Sequence, residues 1–261
     1  MAQEQFSPKR RPGGVSVALA GGFLIQAGLL ALLLAHGRIG TLAAIGAATI
    51  YGAAAATIWY RAAGPRFGVA NIVTTLRGGM IAVLPALVLA PGGVDPVTAW
   101  AVVFFGALAL ALDGLDGKLA RRLGESSAFG ARFDMEVDAA FVLFLSGVVA
   151  ATGRAGLWVL LTGLMRYLWV AAGMVWPLLR EPLPPSLFRK SVCVILLLLL
   201  LFAMAPVRLP GGAALPCVAG LVLLLASFGR DLLWLMRRTG GAIPRRVEAV
   251  IDDGAVPVES E

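Results

Sequence analysis

Four aspartates in the middle of the chain have the side-chain type and the spacing to bind metal ions. Asp113 and Asp116 are three residues apart, and Asp134 and Asp138 are four apart, so on helices the members of each pair project from one face. Packed as neighbours, the two helices would bring all four carboxylates into one pocket. Grouped carboxylates repel one another and are costly to desolvate, and divalent cations relieve both costs. Oxygen-only ligands favour Mg²⁺, Mn²⁺ or Ca²⁺ over zinc.

Small residues and an arginine beside these aspartates suit a phosphate group. Gly117, Ala120 and Gly130 let a ligand or a backbone approach closely, and Arg121 offers a planar fork that matches phosphate. A simpler interpretation is that the small residues pack helices, while the aspartates cap helix ends and pair with nearby arginines. Four carboxylates at helical spacing favour the metal interpretation. Metal, glycine and arginine together predict a phosphate-handling site with two metal ions.

The elements that must position these residues are apolar helices. The 261 residues are 59% hydrophobic and 14% charged, whereas a soluble domain is about half apolar and a quarter charged. We therefore expect an all-α integral membrane protein, with spans of about 20 residues. Eight stretches qualify: Val15–His36, Gly40–Trp59, Val69–Pro91, Val97–Leu112, Asp134–Thr152, Ala155–Leu179, Ser191–Pro206 and Ala213–Met236. The first is too long for a signal-peptide core, which favours a retained helix.

The basic residues predict how these spans are oriented. With eight spans, sixteen Lys and Arg residues fall on the side that holds both termini, and only three, Arg38, Arg154 and Arg208, fall on the other. Because positive residues mark the cytoplasmic side, we expect both termini and the aspartates at the cytoplasmic face of a multi-pass protein, in the bacterial inner membrane. Cys193 and Cys217 lie in apolar runs and predict no disulfide framework.

The aspartate segment resembles a known family signature. The pattern D-x-x-D-G-x-x-A-R, eight residues, then G-x-x-x-D-x-x-x-D, from Asp113 to Asp138, resembles that of the CDP-alcohol phosphotransferase family, and "NIVTTLR", Asn71 to Arg77, resembles its N-x-x-T-x-x-R element. The resemblance covers roughly Arg61 to Met236 and implies a six-helix core. We therefore divide the chain into a basic cytoplasmic tail (1–14), a two-helix N-terminal extension (15–60), the core (61–238) and a disordered cytoplasmic tail (239–261).

The resemblance implies a role for each matching residue. Asp113, Asp116 and Asp134 would bind two divalent ions, Mg²⁺ or Mn²⁺, and Asp138 would be the general base and a further metal ligand. Residues that would line the nucleotide site are Asn71, Thr74, Arg77, Gly117, Ala120, Arg121 and Gly130. Asp138 would take the proton from an alcohol, whose oxygen attacks the phosphorus bonded to the lipid, and CMP would leave.

The prediction of which alcohol is the acceptor depends on basic residues in the later core helices. Arg166, Arg189 and Lys190 match positions that hold the acceptor's polar group in resembling lipid synthases. Three unpartnered cations in one pocket would predict an anionic acceptor, with CDP-diacylglycerol as the donor. Each residue also has a structural alternative. Arg166 would be an ion-pair partner of Asp138 or Glu136, and Arg189 and Lys190 would be anchors at the membrane surface. Glu136 lies off the face of the metal ligands, and we expect it to form a structural ion pair with Arg132 or Arg77.

Other functions stay open at this point. The segment is also faintly similar to the aminoalcohol branch of the family, in which CDP-choline or CDP-ethanolamine donates to diacylglycerol, and Ala139 stands where the glycerophosphate branch often has Lys. A divalent-metal transporter or a non-catalytic homologue would also carry acidic residues in apolar helices. The basic tails suit anionic lipid headgroups, and nothing beyond the high pI supports nucleic-acid binding. The sequence leaves open whether the protein forms a homodimer.

Overall fold

The protein is built from helices joined by short connections. The computed structural model describes residues 13–61, 67–90, 93–123, 127–184, 186–207 and 212–239, without the side chains of 13, 115–123, 128 and 239. In these ranges the chain forms α1 (Gly13–Ala35), α2 (Thr41–Arg61), α3 (Val69–Ile81), α4 (Leu84–Val88), α5 (Pro96–Leu123), α6 (Ala128–Ala151), α7 (Leu160–Val175), α8 (Leu187–Met204) and α9 (Ala214–Thr239), with short 3₁₀ turns at Leu157–Val159 and Pro177–Arg180. No strand occurs in these described ranges.

The predicted all-helical membrane fold is confirmed. Within the described residues, seven helical stretches are long and apolar enough to cross a membrane, which makes the chain a multi-pass membrane protein. The predicted span Asp134–Thr152 is not among the seven, because every membrane-length stretch of α6 includes Asp134, Glu136 and Asp138. Whether α6 crosses as the eighth span, and which side holds the termini, stay predictions.

The predicted third span is interrupted. Instead of one continuous helix over Val69–Pro91, α3 ends at Ile81 and α4 begins at Leu84. Pro85 is the cause, because proline has no N–H and its ring clashes with the carbonyl four residues earlier, which here belongs to Ile81. Buried Gln26 of α1 lies against this break, where its amide donates to the carbonyl oxygens of Ala82, at 3.1 Å, and of Ala47, at 2.9 Å.

The helices α1 and α3 cross at almost backbone contact. A Cβ built on Gly79 would lie 2.2 Å from the carbonyl oxygen of Gly22, and one built on Gly22 would lie 2.2 Å from the hydroxyl of Tyr51. That hydroxyl donates to the carbonyl of Leu19 at 2.9 Å. Because only glycine allows two helices to approach this closely, the two glycines hold α1 against α3, the helix that carries Asn71, Thr74 and Arg77. Tyr51 joins α2 to α1.

The core helices pack round α6 and α8. Apolar side chains of α6 and α8 are buried together at the centre of the molecule, among them Phe141, Leu145, Val148, Leu196, Leu200 and Met204. The helices α6 and α7 are closest at Gly163, where a Cβ would lie 2.4 Å from the Cα of Leu143. Cys193 and Cys217 are both free thiols, as the sequence predicted. These contacts hold the second half of α6 beside α7 and α8.

At its other end, α5 begins with a capped turn. The Asp95 carboxylate accepts hydrogen bonds from the backbone N–H of Val97 and Thr98 and forms an ion pair with Arg38. The Thr98 hydroxyl also donates to this carboxylate, and that bond lowers the pKa of Asp95 below its usual value. An aspartate that accepts from the first free N–H groups of a helix is a favourable N-cap, so α5 is anchored at the end opposite Asp113.

The crossing of α1 and α3 can be tested with two neighbouring glycines. Gly79→Ala should lower the free energy of unfolding by about 1–3 kcal/mol, because its methyl group must displace the backbone of Gly22. Gly78→Ala is the matched control: nothing lies within 4 Å of its Cβ, and alanine is the better helix former by about 0.5–1 kcal/mol. The measurement is Tm in detergent, followed by tryptophan fluorescence. Equal Tm values for the two variants would contradict the close crossing.

Candidate active site

Three of the four predicted aspartates meet at one point. Asp113 on α5 and Asp134 and Asp138 on α6 each place a carboxylate oxygen within 4.8 Å of the others. Asp113 is buried, whereas Asp134 and Asp138 are half-buried. They come together because α5 and α6 are consecutive helices joined by a short connection, and because a spacing of four puts the α6 pair on one face. The side chain of Asp116 lies outside the described residues.

Arg77 lies among these carboxylates rather than at the edge of the site. Its side chain is 1% exposed. Its Nη1 donates to Asp113 Oδ1 at 2.8 Å and to Asp134 Oδ1 at 3.3 Å, and its Nη2 donates to Asp138 Oδ1. The resemblance counts Arg77 among the residues of the nucleotide site, and that role stays a prediction. A guanidinium buried this deeply requires charged partners, and the three aspartates supply them.

The donor set of this cluster fits a divalent cation. Three carboxylates and one guanidinium leave two negative charges uncompensated among the groups just described. One divalent ion would neutralise them, and all the available ligand atoms are oxygens, as Mg²⁺ and Mn²⁺ prefer. The residues that would hold such an ion are Asp113, Asp134 and Asp138.

Some of the predicted nucleotide-binding residues are described by the structure, and these lie on α3 and on the first turn of α6. Gly130, in the first turn of α6, faces α3 so closely that a Cβ would lie 2.6 Å from Asn71 Oδ1. Thr74 is buried and its hydroxyl donates to the carbonyl of Ala70 at 3.0 Å. The Ser127 side chain caps α6 by accepting from the N–H of Gly130. Gly117, Ala120 and Arg121 lie in the last turns of α5, where side chains are outside the description.

A cavity of about 390 Å³ joins the carboxylates to the predicted acceptor residues. Its wall includes all three described aspartates and also Arg166 of α7 and Arg189 and Lys190 of α8. Two groups predicted on different grounds, one from the spacing of the aspartates and one from the resemblance to lipid synthases, therefore face the same cavity. Four helices, α5 to α8, contribute to this wall, and α9 adds Asp231.

The three cations are not all without partners, which corrects the premise of three unbalanced charges. Arg166 Nη2 forms an ion pair with Glu136, and Arg189 Nη1 donates to Asp231 at 3.1 Å. Within the described residues Lys190 has no ion-pair partner and is exposed. Among these three described cations, Lys190 alone has a charge without an ion-pair partner that would favour an anionic acceptor.

Glu136 forms the structural ion pair that was expected, but with Arg166 instead of Arg132 or Arg77. The same pair is the alternative given above for Arg166, and that alternative is confirmed. Glu136 points away from the face of Asp134 and Asp138 and toward α7, whereas Arg77 is surrounded by aspartates. Asp231 also lines this cavity, and the sequence did not predict that position. The available signal was that an ionisable residue in an apolar helix needs a partner on a neighbouring helix.

Comparison with known proteins agrees with the sequence resemblance. The sequence model of a protein family described as CDP-alcohol phosphatidyltransferase matches residues 67–229, which is more than half of the chain. The match runs from the residues before α3 into α9, and α1 and α2 lie outside it. No curated protein and no solved structure gives a significant match.

Metal binding can be measured on the protein without substrate. Mg²⁺ or Mn²⁺ at about 100 times its Kd should stabilise the wild type by about 2.7 kcal/mol, seen as an increase in Tm. Asp113→Asn and Asp134→Asn should lose this increase, because each removes a charged ligand. Asp95→Asn is the control, since that carboxylate is at the opposite end of α5. The metal interpretation fails if the Asp113 and Asp134 variants keep the full metal-dependent shift.

Proposed function

Because the chain belongs to the CDP-alcohol phosphatidyltransferase family, we propose that it transfers a phosphatidyl group from CDP-diacylglycerol to a small anionic alcohol and releases CMP. The family is one of transferases of substituted phosphate groups, which decides against the metal-transporter alternative. The observation that carries the proposal is the single cavity that holds Asp113, Asp134 and Asp138 together with Arg166, Arg189 and Lys190.

Asp138 has the position of a general base. It lines the cavity, is half-buried, and accepts a hydrogen bond from Arg77. A base must lie within hydrogen-bond reach of the proton it removes, and an acceptor in the cavity can bring its hydroxyl to this carboxylate. As the proton moves to Asp138, the alcohol oxygen bonds to the lipid-bearing phosphorus. The phosphoanhydride bond breaks, and its bridging oxygen leaves with CMP.

The other residues of the cluster hold the reacting groups. A divalent ion bound by Asp113, Asp134 and Asp138 would supply positive charge for the phosphate oxygens and the leaving group. Asn71 and Gly130 form a close contact that holds α3 against the first turn of α6, one turn before Asp134. Arg77 keeps the three carboxylates in place, because its two Nη atoms bond to all three.

The acceptor's polar group would face Lys190. Lys190 is exposed, lines the cavity and has no ion-pair partner among the described residues. A phosphorylated alcohol would give Lys190 a charge-assisted hydrogen bond, and it could attract Arg166 and Arg189 away from their carboxylate partners.

One observation favours the aminoalcohol branch as a second candidate. Asp231 lines the same cavity and its side chain is largely buried. A carboxylate there could bind the cation of an amino alcohol, in a reaction in which CDP-choline or CDP-ethanolamine donates to diacylglycerol. The two candidates differ in which substrate carries the lipid, so one assay with radiolabelled donors distinguishes them.

The role of Asp138 is tested by Asp138→Asn. This variant cannot take a proton but keeps nearly the same shape, so we expect CMP release to fall by at least about 10²-fold, the lower end for general-base catalysis. CDP-diacylglycerol should still bind, measured by its effect on Tm. Turnover close to that of the wild type would remove Asp138 from the role of base.

The acceptor is tested by Lys190→Met. If the acceptor is anionic, its KM should rise by about 10-fold or more, as loss of a hydrogen bond to a charged group costs about 1.5–3 kcal/mol. The KM of CDP-diacylglycerol should stay the same. Arg237→Ala, an exposed cation in the last turn of α9, is the control. An unchanged acceptor KM, or wild-type use of CDP-choline with diacylglycerol, would make the aminoalcohol branch the better candidate.

A further inference from the structure

A second cavity lies on the opposite face of α6 from the active-site cavity. It has a volume of about 960 Å³ and is formed by α2 together with α3, α6 and α7 of the family core. We name it the lateral groove and define it by Ala54, Ile58, Arg61, Arg132, Phe133 and Phe144. Only Met135 and Arg166 line both cavities. The groove is therefore separate from the carboxylate cluster, although the two share part of a wall.

The lateral groove is charged at one end and apolar at the other. Arg61 is the last residue of α2, and Arg132 lies in the second turn of α6. Farther along the two helices the lining becomes apolar, with Ile50 on α2 and Phe144 on α6. Phe144 follows Arg132 by twelve positions, which is about 18 Å along the helix at 1.5 Å per residue. Half of a hydrocarbon core about 30 Å thick is about 15 Å, so the groove is about one leaflet deep.

Among the described residues, the charged end carries an excess of two positive charges. The described charged residues of the groove are Arg61, Arg132, Glu136 and Arg166, and Glu136 and Arg166 neutralise each other in their ion pair. Arg61 and Arg132 are exposed, and neither has a hydrogen-bond or ion-pair partner among the described residues. Two guanidinium groups at the depth of the headgroups suit a phosphate diester, because each presents a planar fork of donors.

We propose that the lateral groove binds one anionic membrane phospholipid at a site distinct from the substrate cavity. Arg61 and Arg132 bind its phosphate, and its acyl chains lie along Ile58, Phe133 and Phe144. The proposal gives a function to the helices outside the family match, because α2 forms one wall and α1 fixes α2 to α3. Since Arg166 lines both cavities, the bound lipid lies next to the active site. The proposal does not rest on the identity of the acceptor.

Native mass spectrometry of the full-length protein tests the charged end. With added phosphatidylglycerol, the wild type should retain one lipid, and Arg61→Ala/Arg132→Ala should bind it about 10-fold more weakly or worse, since both charge-assisted contacts are lost. Arg237→Ala, an exposed arginine outside the groove, should bind like the wild type. Equal binding of phosphatidylcholine and phosphatidylglycerol would overturn the proposal that the groove selects an anionic lipid.

Two adjacent alanines on α2 test the apolar part of the lateral groove. If the double arginine variant does not fold, these alanine variants test the proposal by themselves. Ala54 lines the groove, whereas Ala53 is exposed and does not. Ala54→Trp should abolish retention of phosphatidylglycerol, and Ala53→Trp should keep it. Three results would overturn the proposal: retention by Ala54→Trp, one-for-one displacement of the lipid by CDP-diacylglycerol, or a lipid-free dimer that Ala54→Trp dissociates. None of these readouts requires catalysis, so they remain separate from failure of the proposed reaction.

Discussion

The guanidinium of Arg77 is buried where α3, α5 and α6 converge, and its charge requires carboxylates within hydrogen-bond distance. Removing one partner of a buried ion pair typically costs about 3–5 kcal/mol. The three aspartates need the arginine for the same reason, since without a cation they would repel one another. This mutual requirement fixes the position of α3 relative to the two helices that carry the signature aspartates, and the cavity beside them follows from it.

Because α3 holds Arg77, whatever holds α3 also acts on the site. The near contact of Gly22 with Gly79, and the bonds of Gln26 to Ala47 and Ala82, join α1 and α2 to α3. Both helices lie outside the family match, yet α1 packs on the helix whose arginine contacts the carboxylates, and α2 packs on α1. The N-terminal extension thus packs against the core, and it helps to fix the position of α3, which carries Arg77.

The two faces of α6 line two different cavities. One face presents Asp134 and Asp138 to the substrate cavity, and the other presents Arg132, Phe133 and Phe144 to the lateral groove. Glu136 and Arg166 lie at the boundary, where Arg166 lines both spaces. This arrangement follows from the helical period of 3.6 residues, since positions three or four apart share a face and positions two apart do not. One helix can therefore serve a polar reaction site and an apolar lipid surface together.

The sequence by itself determined the features that depend on neighbours along the chain. The spacing of Asp134 and Asp138 predicted that they share one face of a helix, and continuous apolar runs predicted membrane helices. Only the tertiary structure decided which charges pair, because partner choice depends on how separate helices pack. Arg77 therefore lies among the aspartates, Arg166 binds Glu136, and Arg189 binds Asp231. The lateral groove likewise arises from contacts between helices, which local spacing does not encode.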